Sequence, residues 1–236
     1  MSYQWNWHIF LQDTGADETY LHWLMTAWGW TLLVSVAAWF LALALGSLVG
    51  VLRTVPSKPL QTFANGWVEL FRNIPVLVQI LLWYYVVPAF VPWVGRWSPF
   101  WLAVVALGLF TSARIAEQVR SGIQALPRGQ RMAGLAMGLT LPQTYRYVIL
   151  PMAFRIIMPP LTSESMNIIK NSTVALAVSV AEMMQFAMQA QEETGHGVEI
   201  YLGVTALYVL SALIANRVMA LVEHTVRVPG YVGGGK

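Results

Sequence analysis

Besides Ser165, five polar residues crowd into the nine positions 163–171 of an apolar stretch: Ser163, Glu164, Asn167, Lys170 and Asn171 in "TSESMNIIKNS". At about 100° per residue they occupy one arc of roughly 120° on a helix, with Met166 and Ile169 off it. A charge at bilayer depth costs about 2.5–3.5 kcal/mol on insertion scales, so these groups must face protein or water. Two chemistries follow. The stripe can line a solute path, with Lys170 meeting a carboxylate. Alternatively, Glu164 and Lys170 pair within the subunit and fix its packing. The preceding Pro159-Pro160 suggests a broken helix, a feature of cavity-lining segments in membranes. Glu69, Arg72 and Asn73 share a second face, with Gln79 further along. Glu69 and Arg72 are spaced i, i+3 and can pair with each other, or Arg72 can snorkel to an interface. Glu117 lies between Arg114 and Arg120, a spacing that suits an intrahelical ion pair.

Covalent chemistry finds no support. The tail "GYVGGGK" (230–236) has the letters of a phosphate loop but ends at the lysine, without the strand, helix and Ser/Thr that such a loop needs. Any ATP must therefore be bound and hydrolysed by another chain, and no cofactor or catalytic residue is expected here. His8, His22, His196 and His224 show no metal spacing, and there is no cysteine. Nothing points to nucleic acid.

Such groups need a scaffold, and composition names it. The 236 residues are 57% hydrophobic and 11% charged, with mean hydropathy +0.56; a soluble domain carries about 25% charged residues. The chain reads as an all-α integral membrane protein. Apolar stretches long enough to span run near 21–52, 60–87, 99–116, 148–180 and 200–222. "MSYQWNWHIF" lacks the basic start of a secretory signal, so the first span should stay uncleaved, after an N-terminal segment 1–20. Basic residues gather between spans one and two, between three and four, and after five; Asp13, Asp17, Glu18, Glu182, Glu192, Glu193 and Glu199 occupy the opposite side with Arg96 as its only cation. Cations mark the cytoplasmic side. The N-terminus then lies outside and the tail 228–236 inside, which five spans satisfy. Trp5, Trp7, Trp23, Trp93, Trp97 and Trp101 fall at the outer boundary as an aromatic belt.

"RGQRMAGLAMGLTLPQTYRYVILP" (128–151) is apolar yet too basic to span. It falls in the basic loop between spans three and four. Met132, Leu135, Ala136 and Leu139 give one apolar face on a short helix. Thr140 to Gln143 has the form of a capping box with Pro142 in its first turn, so a second helix should start there and run into Pro151. The apolar face can rest on lipid headgroups, on its own protein or on a partner.

These residues carry a resemblance. "AEQVRSGIQALPRGQ", "AGLAMG" and "VILP" resemble the cytoplasmic signature of the membrane subunits of bacterial ATP-driven (ABC) importers, written E-A-A, three residues, G, nine residues, I-x-L-P. Met132, Ala133 and Gly134 take its first three positions, Gly138 its glycine, and Val148 to Pro151 its end. "VELFRNIPVLVQ" (68–79) looks like the branch carrying polar amino acids, with glutamate and aspartate permeases most similar in overall pattern. The similarity runs from about Arg53 to Arg227.

The resemblance implies a type I ABC importer permease fold over 21–227 and a multi-pass place in the bacterial inner membrane. It implies uptake of polar, foremost acidic, amino acids by alternating access. The implied partners are a cytoplasmic ATPase dimer, a second permease subunit (the same chain or another) and a periplasmic amino-acid-binding protein. Within the loop 128–147, a coupling helix with Arg131, Met132, Ala133, Gly134, Gly138 and Leu139 would dock on the ATPase. Met132 stands where the motif has glutamate. The reading from another class is a subunit of an ATP-independent channel or secondary transporter, which predicts inverted-repeat halves that the sequence does not display.

Overall fold

In the computed structural model, residues 3–15 and 17–226 are described. Arg227, Lys236 and the tail 228–236 lie outside them. The chain is helical: α1 (Tyr20–Leu52), α2 (Lys58–Asn73), α3 (Val76–Leu81), α4 (Val87–Phe90), α5 (Pro99–Gln124), α6 (Arg128–Ala136), α7 (Leu141–Thr144), α8 (Leu150–Asn171), α9 (Met183–Thr194) and α10 (Gly197–Val226). Among the described residues the only β contact is an isolated bridge, Asp13 to Thr19. Three helices, α1, α5 and α10, are long and apolar enough to cross a membrane, and five spans result if each of two bent helix pairs counts as one.

Local chemistry sets the boundaries. Ile74 is extended before Pro75, which stops α2. Glu182 caps α9 by accepting from the Gln185 amide at 3.0 Å, and Gly195 (φ +70°) ends it in the left-handed conformation. The stretch 188–197, between the fourth and fifth expected spans, is therefore mostly helix, with a break at Gly195 and His196.

Prolines behave differently from expectation. Pro159 and Pro160 lie inside an unbroken α8, and the irregularity comes later, as the 3-10 stretch Ser172–Val178. Pro151 does not end a helix either. A π-helical turn, Tyr145–Ile149, joins α7 to α8 and shifts the hydrogen-bond register just before the residue that has no N–H to offer.

Two compact units divide the chain: unit 1 is Met1–Trp39, Pro75–Gly108 and Asn167–Ile214; unit 2 is Phe40–Ile74, Leu109–Met166 and Ala215–Lys236. The core of unit 1 joins Leu24 and Ala27 of α1 to Phe186 and Ala187 of α9 and Ile200 and Val204 of α10. In unit 2, Val49 of α1 packs with Ala64 and Val68 of α2 and Ala113 and Ala116 of α5. Gly46 and Gly50 bring α1 close to α5: a Cβ on Gly46 would meet the Ser112 carbonyl at 2.7 Å, and one on Gly50 the Ala116 carbonyl at 2.8 Å. Charge separates between the units. Unit 1 holds Arg96 and Lys170 against seven Asp and Glu; unit 2, over residues 40–74, 109–166 and 215–226, holds ten Lys and Arg against Glu69, Glu117, Glu164 and Glu223.

Candidate functional site

The polar stripe of α8 divides in two. Glu164 turns inward, 5% exposed, and its two oxygens accept from Nε and Nη2 of Arg114 on α5, each at 2.8 Å. This forked geometry is the strongest form of carboxylate recognition. Ser163 and Lys170 are exposed, while Asn167 and Asn171 are half-buried. Ser163, Asn167 and Lys170 follow one another at i, i+4 and i+7, one face of the helix. Lys170 has no ion-pair partner among the described residues. The exposed polar face is thus narrower than the sequence suggests and excludes Glu164.

Glu117 gathers more cations than its own helix supplies. Its carboxylate lies 2.8 Å from Nη1 of Arg53, 3.5 Å from Nη1 of Arg72 and 3.3 Å from Nη2 of Arg120. Arg114, its other expected partner, is taken by Glu164. One carboxylate on α5 therefore ties the end of α1 and the end of α2 to α5. Arg72 pairs with Glu117 instead of Glu69, and Glu69 is exposed without an ion pair among the described residues. Arg53 is fixed from its other side by Asn65, which accepts from its Nε at 2.7 Å.

The loop between α5 and α8 is a helix, a turn and a helix. α6 presents Met132, 68% exposed, and Leu135, 44% exposed, while Gly134 faces inward. A Cβ on Gly134 would meet Thr144 Cγ2 at 2.7 Å, so the small residue sets how closely α6 lies on α7. Gly138 (φ +81°) turns the chain, and Leu139 falls beyond the helix, half-buried. The apolar face is accordingly Met132, Leu135 and Ala136, with Leu139 outside it. Arg131 is half-buried and Ala133 exposed. The Thr140 capping box forms: the Gln143 amide donates to the Thr140 hydroxyl at 3.5 Å, and the Thr140 amide donates to Gln143 Oε1 at 2.8 Å.

Two buried carboxylates in unit 1 were not legible in the sequence. Glu182, 0% exposed, accepts from the Tyr208 hydroxyl at 3.0 Å, and Glu199, also 0% exposed, accepts from the Asn6 amide at 2.7 Å and from the Tyr3 hydroxyl. The Tyr3 phenol is pushed above its ordinary pKa of 10.0, first by that hydrogen bond. Sequence reading placed both acids only by side of the membrane. Their partners lie up to 196 residues away, and no local spacing announces them.

Residues 42–228 match the family described as the inner membrane component of binding-protein-dependent transport systems. The chain is 45% identical over 99% of its length to the glutamate/aspartate import permease protein GltJ of Escherichia coli K12, covering 100% of that protein. It is 36% identical to the probable glutamine ABC transporter permease protein GlnM of Bacillus subtilis, over 76% of this chain and 82% of that one. Among solved structures, an amino acid ABC transporter crystallised with histidines is similar, with TM-score 0.76 and 29% identity over 87% of this chain and 95% of that chain. The inward-facing MetNI methionine ABC transporter shares the fold, with TM-score 0.77 at 23% identity over 88% of this chain and 98% of that chain.

Proposed function

The chain belongs to the family of inner membrane components of binding-protein-dependent transport systems, and on that premise we propose that its cargo is an acidic amino acid, glutamate or aspartate. The observation that carries this reading is the end-to-end 45% identity to a permease named for those two substrates. Lys170 gives it a physical basis: an exposed cation on α8, free of an internal carboxylate, can meet the extra carboxylate of such a solute. Ser163, Asn167 and Asn171 would flank it with hydrogen-bonding groups. Glu164 would serve by holding Arg114, and Arg72 with Glu69 would border the path near the basic end of unit 2.

ATP is consumed by a separate ATPase dimer, against which α6 docks through Met132, Leu135 and Ala136. Ala133 and Gly134 allow close approach, Gly138 turns the chain away, and Arg131 offers a charge beside the contact. A second permease subunit completes the path, and a periplasmic binding protein delivers the amino acid. The separation of charge supports an N-terminus outside and a C-terminus inside, because unit 2 holds the cations that cytoplasmic loops retain. Closure of the ATPase dimer moves α6, and α6 moves α8 through its close contact with α7 at Gly134 and Thr144, because α7 runs on through the π-turn into α8.

Reconstitution with the ATPase, a second permease and the binding protein tests this. Labelled glutamate should enter vesicles only with ATP, and unlabelled aspartate should compete better than glutamine. Uptake without ATP would favour the channel or secondary-transporter reading, and preference for glutamine would overturn the acidic cargo. A cysteine at Ala133 should cross-link to the ATPase.

A further inference from the structure

A cavity of about 440 Å³ opens within unit 2, among the end of α1, the start of α2, the last turn of α5, the start of α6 and the π-turn. Its walls carry three guanidinium groups, Arg53, Arg128 and Arg131, and three amides, Gln61, Gln124 and Gln130, without a carboxylate. Glu117, bound to Arg53, already shares its charge with Arg72 and Arg120, so positive charge at this end of unit 2 is left uncompensated. The cavity wall is held in place: the Tyr145 hydroxyl donates to the Thr54 carbonyl at 2.9 Å and lies 3.2 Å from the Thr54 hydroxyl.

We propose that this cavity binds a phosphate-bearing anion. Arginine forks match phosphate oxygens in pairs, and the first turn of α6, beginning at Arg128 beside the cavity, adds the positive end of a helix dipole. The position suits a phosphodiester at the membrane surface. Arg53 directly follows Leu52, the last residue of the 33-residue apolar α1, so the cavity lies where an apolar span ends. Ile123, Leu126 and Ile149 add an apolar wall for the glycerol side of an anionic phospholipid headgroup. Basic pockets at the ends of spans select such headgroups. An occupant would link the end of α1 to the first turn of α6, outside the residues proposed to meet the cargo.

Native mass spectrometry of the full chain in its complex, purified in mild detergent, tests the proposal without reference to transport. With phosphatidylglycerol and phosphatidylcholine titrated in parallel, the wild type should hold one phosphatidylglycerol at least about tenfold more tightly, at roughly a few-fold per arginine. Arg128→Gln and the double variant Arg128→Gln/Arg131→Gln should lose that preference stepwise; Arg128 is exposed, so its replacement leaves packing intact, which an unchanged Tm verifies. Displacement by millimolar inorganic phosphate would identify free phosphate as the source, and resistance to it the lipid; both keep the phosphate chemistry. Equal binding of phosphatidylcholine, or wild-type preference in the double variant, overturns it.

Discussion

Arg114 donates both Nε and Nη2 to Glu164, two bonds of 2.8 Å that fasten α5 to α8. Glu164 is buried and Arg114 is 41% exposed, so the pair lies between the buried and the exposed extremes. Breaking a buried pair costs about 3–5 kcal/mol, and exposed pairs are worth under about 1 kcal/mol. Glu164→Gln should therefore lower stability by about 2 kcal/mol, read as a lower Tm in detergent. Arg114→Lys should lose part of this by losing the fork, and the double variant Arg114→Leu/Glu164→Leu should recover much of it. If Glu164→Gln leaves Tm unchanged while uptake collapses, the carboxylate works on the solute and not on the packing.

Lys170 makes the opposite prediction. Lys170→Ala should reduce glutamate uptake at least about tenfold, the low end of the roughly 1.5–3 kcal/mol that a hydrogen bond to a charged group contributes, with assembly and Tm unchanged. Lys170→Arg should restore part of the rate. Loss of assembly in Lys170→Ala would instead assign Lys170 to packing.

Helix contact at Gly46 and Gly50 is strict. Both face α5 one turn apart, and an added Cβ on either would meet backbone oxygen under 3.0 Å. Small residues at this spacing let membrane helices approach closely. Gly50→Leu should cost about 1–3 kcal/mol or more through overpacking, seen as low yield and early melting. Gly66→Leu, whose added Cβ would meet nothing within 4 Å, is the control and should melt like wild type.

Some of this was legible in the sequence and some was not, for physical reasons. The capping box at Thr140 and the start of the span at 99 depend on neighbours within four residues, and pattern reading reaches them. Gly46-Ser-Leu-Val-Gly50 is a small-residue pair in an apolar helix, but the sequence alone did not single it out, because the letters do not say which helix approaches it. The Glu117 hub was not legible either, because Arg53 and Arg72 arrive from other helices. The same holds for Glu164: its helical phase was right, but phase cannot tell a solute-facing side chain from one facing Arg114. Pro151, Pro159 and Pro160 read as breaks because local rules assign them so; a π-turn before Pro151 and tertiary packing around α8 override those rules.

At the N-terminus, the Tyr3–Glu199 bond gives a pH signature. The phenol's pKa is raised in the folded chain. Its stabilising effect is therefore complete below the ordinary phenol pKa of about 10 and is lost as pH rises through the folded value. Limited proteolysis should leave segment 3–15 protected from neutral to mildly alkaline pH and release it at higher pH. Tyr3→Phe should release it at all pH values. Equal protection of Tyr3→Phe and wild type would show that the segment is held by the Asn6 amide on Glu199 and by Phe10, which lies so close to Gly203 that an added Cβ there would meet its ring at 2.8 Å.

Met132 stands in the motif position of a glutamate, and its exposure decides what that substitution does. The side chain is 68% exposed at the surface of α6, beside Leu135 and Ala136, so on the proposed docking it offers the ATPase an apolar contact in place of a polar one. A buried methionine contributes about 1.5–3 kcal/mol. Met132→Ala should weaken ATPase association roughly tenfold or more in pull-down titrations, while the permease keeps its Tm. Met132→Glu tests complementarity: an apolar receiving surface penalises the carboxylate more than the alanine, whereas a basic one restores binding. Gly134→Val should impair coupling by another route, pushing α6 off Thr144 so that ATP is hydrolysed with less glutamate carried per ATP. Unchanged ATPase association in Met132→Ala, with normal stoichiometry in Gly134→Val, would remove α6 from the coupling path.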